Sequence, residues 1–196
     1  MQATVPIPGG AIFGAQVTNA GKIDYLGGEI EGRLTITDAL SADGSFGYVH
    51  KNVKNFPGAD INGVIRNIAE VVTPGISPDF TANLAGNFTR PLGNDARLTA
   101  RVGWTYVSEQ VFFANPLTAP FNDATKADAR SLFDAQVKID NIKFGNMTKG
   151  FAVTFWGRDI TNTQYIARGI DFGQLGLGTV IYGDPATYGV TLDVAF

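Results

Sequence analysis

Apolar side chains recur along this chain at every second position rather than at the 3.6-residue spacing of a helix, so the pattern predicts strands with two unlike faces. The last nine residues carry it most cleanly: Tyr188, Val190, Leu192, Val194 and Phe196 form one face, and Gly189, Thr191, Asp193 and Ala195 the other. The same alternation sets Phe151, Val153, Phe155 and Gly157 against Ala152, Thr154, Trp156 and Arg158, and Phe133, Ala135, Val137 and Ile139 against Leu132, Asp134, Gln136, Lys138 and Asp140. Further back, Leu98, Ala100, Val102, Trp104 and Tyr106 alternate with Arg97, Thr99, Arg101, Gly103 and Thr105, and Ala82, Leu84, Gly86 and Phe88 with Thr81, Asn83, Ala85, Asn87 and Thr89. Gly28, Ile30, Gly32, Leu34 and Ile36 oppose Glu29, Glu31, Arg33 and Thr35. Two weaker segments, 11–18 with Phe13, Ala15 and Val17, and 42–51 with Phe46 and Tyr48, bring the expected number of strands to eight.

The connections alternate in length over the second half of the chain. Segments 37–42, 91–95 and 141–149 are short and carry the Gly, Asn, Asp and Pro that turns favour, whereas 52–78, 107–128 and 161–186 are long. One end of the sheet is therefore clipped and the other elaborated, with the short link at Asn19-Ala20-Gly21 as the exception.

Once the apolar residues set the phase, Glu29, Glu31, Arg33, Arg97, Arg101, Asp134, Lys138, Asp140, Arg158 and Asp193 all fall on the opposite face. A bilayer imposes that exclusion, because a lipid-facing Lys or Arg near the midplane costs about 2–4 kcal/mol. A soluble sheet also turns its charges to water, so further signals decide. Trp, Tyr and Phe crowd the strand ends, the long polar loops lie at one end, and the strands approach the roughly 9–11 residues needed to span. The expected fold class is all-β, an antiparallel transmembrane β-barrel in which about eight strands form either a small barrel or an arc of a larger one. Hydrocarbon leaves no free sheet edge, so the barrel must close.

Composition agrees. Charged residues make up 17% of the chain, against about 25% in average soluble domains, and 24 of 196 residues are glycine. The net charge of −3 gives no basic footprint for nucleic acid. Absent cysteines exclude disulfide scaffolds, thiolate metal sites and thiol nucleophiles. No apolar run reaches the roughly 18–20 residues of a transmembrane helix, and the first residues do not read as a signal peptide.

Candidate chemistry is sparse. His50, the only histidine, reads as a strand-end rim residue rather than a metal ligand or proton carrier, and without a serine motif near it an outer-membrane lipid hydrolase is not expected. No catalytic residue, metal site or cofactor is assigned. Glu29, Glu31 and Arg33 are candidates to contact a substrate from the lumen wall, although an ion-pair ladder with neighbouring strands is the leading reading. Gly173 to Gly178 has the wrong spacing for a dinucleotide fingerprint and reads as a flexible loop. Phe112, Phe113 and Phe121, in the second long loop, read as packing of that loop against the barrel rim before they read as a ligand surface.

Three segments carry a family resemblance. Asn19-Ala20-Gly21-Lys22 followed by Gly27-Gly28-Glu29-Ile30-Glu31 is similar to the N-A-G-K … G-x-E-x-E segment of TonB-dependent outer-membrane receptors. Arg158-Asp159-Ile160-Thr161-Asn162-Thr163-Gln164-Tyr165 resembles their N-L-x-D-x-x-Y motif, with Asp159 where the family usually has Asn and Asn162 where it has Asp. Gly183 to Gly189 then leads into a last strand whose alternate residues, Tyr188, Val190, Leu192, Val194 and Phe196, resemble the signal read by the barrel assembly machinery. The resemblance covers about residues 10–196 and implies a 22-stranded barrel of the Gram-negative outer membrane. It implies import of a scarce nutrient, such as a ferric siderophore, vitamin B12 or a glycan, with TonB supplying energy. Residues 1–196 are then expected to be the C-terminal part of the barrel domain, without the plug. The alternative is a self-contained eight-stranded barrel with an adhesive or structural role.

Overall fold

Every strand pairing among the described residues is antiparallel. The computed structural model describes residues 2–6, 15–19, 21–143 and 150–194. Strands β1 (Gln2–Pro6) and β2 (Ala15–Asn19) pair with each other. Then follow β3 (Lys22–Thr35), β4 (Leu40–Asn55), β5 (Pro57–Ala59), β6 (Ile65–Asn67), β7 (Phe80–Gly93) and β8 (Ala96–Val107). After the single-turn helix α1 (Asn122–Thr125) come β9 (Arg130–Ile142), β10 (Phe151–Arg158), β11 (Ile166–Phe172), β12 (Leu177–Tyr182) and β13 (Thr187–Val194). One seven-stranded sheet has the order β13-β10-β9-β8-β7-β4-β3; β5 pairs with β6 and β11 with β12. The fold is all-β, as the alternation predicts.

The register puts every apolar set on the same side of the sheet. Ile30 lies opposite Phe46, Phe46 opposite Ala82 and Ala82 opposite Tyr106. Farther across, Val102 faces Ala135, Val137 faces Phe155 and Phe155 faces Val190. Directly paired residues share a face, so seven separate phase assignments from the sequence agree with one another in space.

Three differences from the sequence reading have physical causes. Segment 15–19 does not join the sheet as an eighth strand: its partner is Gln2–Pro6, close in sequence and therefore cheap in closure entropy. Phe13 lies outside the described residues. Next, the long connections are not bare loops, for 52–78 holds the β5-β6 hairpin and 161–186 the β11-β12 hairpin. Within the latter, Gly173–Leu175 forms a 3-10 turn closed by Gly176 at φ 72°, so the glycines of 173–178 make a defined reversal rather than a flexible loop. Finally, β7 runs on to Gly93 and β8 starts at Ala96, so the turn expected over 91–95 narrows to Asn94 and Asp95, at φ 48° and 63°, the left-handed pair that a two-residue hairpin turn requires.

Burial is concentrated away from the sheet. Among the described residues the buried hydrophobics are Phe56, Ile68, Val72 and four alanines, while Leu26, Ile30 and Leu192 on the sheet's apolar face are 75%, 71% and 67% exposed. Phe56, Ile68 and Val72 pack with Val53, Ala69, Ala114 and Leu117, which joins the first long connection to the second. The third is tied in where the Phe121 N–H donates to Asp171 Oδ2 at 2.8 Å and where Phe112 and Thr125 crowd Gly169. The Phe112 side chain lies against Gly169 and that of Phe121 against Gly178, so these rings pack on the third long connection.

Candidate functional site

The polar face of the sheet gathers the chain's charged and amide side chains in rows that run across the strands. One row reads Asn87, Arg101, Gln136, Trp156, Gly189 over β7, β8, β9, β10 and β13. Toward the long connections the next row holds Asp43, Ala85, Gly103 and Asp134. Toward the short turns a third holds Thr89, Thr99, Lys138, Thr154 and Thr191. Because Gly103 has no side chain and a Cβ there would meet nothing within 4 Å, the space between Arg101 and Arg158 stays open. The result is a concavity of about 350 Å³ lined by Arg101, Asp134, Gln136, Thr154, Trp156, Arg158 and Thr191.

Its two arginines differ. Arg101 is fully engaged: its guanidinium takes Asp43 in a two-pronged contact, at 2.9 Å to Oδ1 and 3.0 Å to Oδ2, and also donates to Asn87 Oδ1. Asn87 Nδ2 donates to Asp43 Oδ1 at 2.6 Å and closes the triangle. Arg158 instead lies over the Trp156 ring, 5.6 Å from ring centre to guanidinium carbon. The indole is fixed from three sides. Its N–H donates to Thr191 Oγ1 at 3.2 Å, one edge presses on the Gly189 backbone where a Cβ would clash, and Arg158 covers a face.

The candidates named from the sequence separate. Glu29, Glu31 and Arg33 do share the polar face, but on β3, the outer strand, opposite Gly47, Ser45 and Asp43. No ion-pair ladder forms there: Asp43 pairs with Arg101, and among the described residues neither glutamate has a salt-bridge partner. An edge strand has a neighbour on one side only, and that neighbour offers glycine and serine where cations were expected.

Asp159, Ile160, Asn162 and Tyr165, by contrast, come together as one turn. Asp159 (φ 44°) and Asn162 (φ 53°) adopt the left-handed conformation that Asp and Asn tolerate. The Asp159 N–H donates to Asp134 Oδ1, and Asp159 Oδ1 accepts from Thr161 Oγ1 and the Thr163 N–H. The Ile160 N–H donates to the Phe133 carbonyl, and Asn162 Oδ1 accepts the Ala186 N–H at the other end of the connection. Tyr165 lies under Arg130, 5.1 Å from its ring centre, and its carbonyl accepts the Gly183 N–H. These residues latch both ends of the third long connection to β9.

Tyr188, Val190, Leu192 and Val194 line the apolar side of β13, opposite Gly157, Phe155, Val153 and Phe151. Tyr188 covers Gly157 and its hydroxyl reaches the Ile160 carbonyl at 3.3 Å. Phe196 lies outside the described residues. His50 falls at the loop end of β4, opposite Leu26, and no group of three or more His, Asp or Glu able to hold a metal occurs among the described residues.

The Trp156–Arg158 pair was legible only in part. Arg158 sits in the polar phase with nine other ionisable residues and nothing in sequence sets it apart. Trp156, a large aromatic in a polar phase, is the signal that could have found the site. No protein-family model matches the chain.

Proposed function

We propose that this chain is part of the wall of an outer-membrane β-barrel of the TonB-dependent receptor type, taking up a scarce small molecule or metal chelate. The observation that carries the membrane half of this reading is a band on the apolar face. In each central strand it runs nine residues, Leu40–Tyr48 paired with Phe80–Phe88 and Leu98–Tyr106 alongside. That matches the roughly 9–11 residues of a tilted spanning strand. Along the sheet's apolar phase, His50, Asp24 and Lys54 lie past the band at its long-connection end and Arg90 at the other, while the charged residues within the band, Asp43 and Arg101, point to the polar face. Tyr48, Phe80, Trp104, Tyr106, Phe133 and Tyr188 gather at the long-connection end, where Tyr48 stacks on Phe80 at 5.0 Å and Trp104 on Tyr106 at 6.0 Å. Aromatic residues in such a row suit a membrane interface.

The receptor half rests on the motif resemblance, to which the latch at Asp159 and Asn162 gives a mechanical sense: it holds a long connection firmly to the barrel rim. In this reading lipid covers the apolar face, further strands of the same barrel pair with the outer edges of β3 and β13, and the polar face lines a water-filled lumen. TonB, the assembly machinery and the nutrient are the partners it implies.

Fractionation of source-cell membranes tests it, with an antibody raised to segment 161–186. The expected result is an outer-membrane band that migrates differently when boiled, as closed barrels do. Recovery of the protein in the soluble fraction would overturn the reading.

A further inference from the structure

In the cavity on the polar face Arg158 forms no salt bridge among the described residues, although Asp134 lines the same space and accepts the Asp159 N–H on Oδ1. Arg101 is matched by Asp43 and Asn87, but Arg158 has no carboxylate within salt-bridge distance among the described residues; its observed contact is the Trp156 ring. Stacking of a guanidinium on an aromatic face leaves its N–H groups directed outward in the ring plane, where two of them match the two oxygens of a carboxylate. The pair is held in advance of any ligand, since Gly189 and Thr191 fix the indole that Arg158 covers. Pre-organisation of this sort lowers the ordering cost of binding. Gln136, directly opposite Trp156, and the Thr154 hydroxyl add uncharged hydrogen-bonding groups to the same lining, and Lys138 lies one row away opposite Thr154. The volume of about 350 Å³ falls within the range of small-molecule sites.

We propose that this cavity is a binding site for a small organic carboxylate, with Arg158 as the anion fork, Trp156 as its support and Gln136 and Thr154 as orienting groups. The barrel reading enters only in supplying the route, a water-filled lumen onto which the polar face opens.

Succinate is a suitable probe, titrated into the full chain refolded in detergent micelles and followed by calorimetry and by tryptophan emission in a Trp104→Phe background, so that Trp156 alone reports. The expected result is saturable binding that perturbs Trp156 emission and weakens at least tenfold in Arg158→Gln. Arg33→Gln, which removes an exposed cation from the same face four strands from β9, is expected to leave it unchanged. A Trp156→Phe variant that keeps the sheet's circular dichroism is expected to weaken binding by a smaller factor. Absence of saturable binding, equal loss in Arg33→Gln, or binding of inorganic phosphate in preference to succinate would overturn the assignment. A chain that inserts into vesicles yet ignores succinate refutes the site and leaves the barrel reading standing; one that binds succinate but stays out of vesicles does the reverse.

Discussion

The seven-stranded sheet and the layer of long connections at its end obey opposite rules of burial. In the connections, Ile68 is 1% exposed and Phe56 5%, and the backbone N–H groups of Phe56 and Ala69 both find Asn67 Oδ1. That is how a water-soluble protein is built: apolar side chains inside, local polar groups paired. In the sheet, Leu84 and Val102 stand in the middle of the apolar face at 54% and 53% exposure, and no described residue covers them. One polypeptide thus carries two solutions to burial, and the border between them runs along the aromatic row at the sheet's end. The difference teaches that the sheet's apolar face and the connections follow separate burial rules, which the proposed membrane reading explains by a hydrocarbon solvent on one side of the aromatic row only.

The comparison breaks first in the connections. Ile68→Ala removes the most deeply buried large side chain there, and such truncations cost about 2–5 kcal/mol. The expected effect is local: protease nicking within 52–78 should rise steeply while the sheet's hydrogen-exchange protection holds. Equal loss of protection in both regions would show that they are one cooperative unit. Next comes Leu84→Arg at the centre of the apolar band. In lipid vesicles it should lower stability by about 2–4 kcal/mol, the range for Arg at a bilayer midplane. In water the same substitution at a half-exposed site should cost little, so near-zero change in vesicles would remove the contrast between the two regions.

Much of this architecture was legible because period-two alternation is a local signal. The phases of β7, β8, β9, β10 and β13 could be read from five or fewer apolar positions each, and the sheet register respects all of them. The connections were harder for a physical reason. The β5-β6 and β11-β12 hairpins are held by contacts between segments far apart in sequence, such as Phe121 with Asp171 and Asn115 with the Ala59 carbonyl, which leave no period behind. The polar face was half legible: alternation said which residues share it, but not that Asn87, Arg101, Gln136 and Trp156 stand in one row. Pairing register decides that, and register is a property of neighbours. Glu29 and Glu31 looked the best placed of the charges because they are adjacent on one strand; the strand is an outer one, and their neighbours are glycine and serine.

A smaller effect tests the join between the two regions. Asp159 is buried, holds an unusual backbone conformation and accepts two hydrogen bonds through Oδ1. Asp159→Ala forfeits both acceptor contacts, and loss of a buried partner costs about 1–3 kcal/mol. Asp159→Asn keeps an acceptor oxygen and should retain most of the stability. Exchange protection at the Thr163 amide reads the difference, and equal protection in the two variants would show that the latch does not depend on this side chain.

The smallest expected effect lies wholly within the connections and depends on pH. Asp60 accepts the N–H groups of Val64 and Asn62 on Oδ1, at 3.0 and 2.8 Å, and Arg66 on Oδ2 at 3.1 Å. The Val64 amide first, then the Asn62 amide, with Arg66 adding less, hold its carboxyl below the usual carboxylate range. A depressed acid contributes stability that is complete above its unfolded pKa and is lost as pH falls through the folded one. The turn at 60–64 should therefore be unchanged from neutral pH down to mild acid and loosen only below the ordinary carboxylate range. Amide shifts of Asn62 and Val64 followed by NMR across that window check it. Asp60→Asn, which keeps an acceptor but cannot titrate, should flatten the acid transition. If loosening in the variant occurs at the same pH as in the parent, the acid sensitivity belongs to another group, and the connections owe their order to the Phe56–Ile68–Val72 core rather than to this turn.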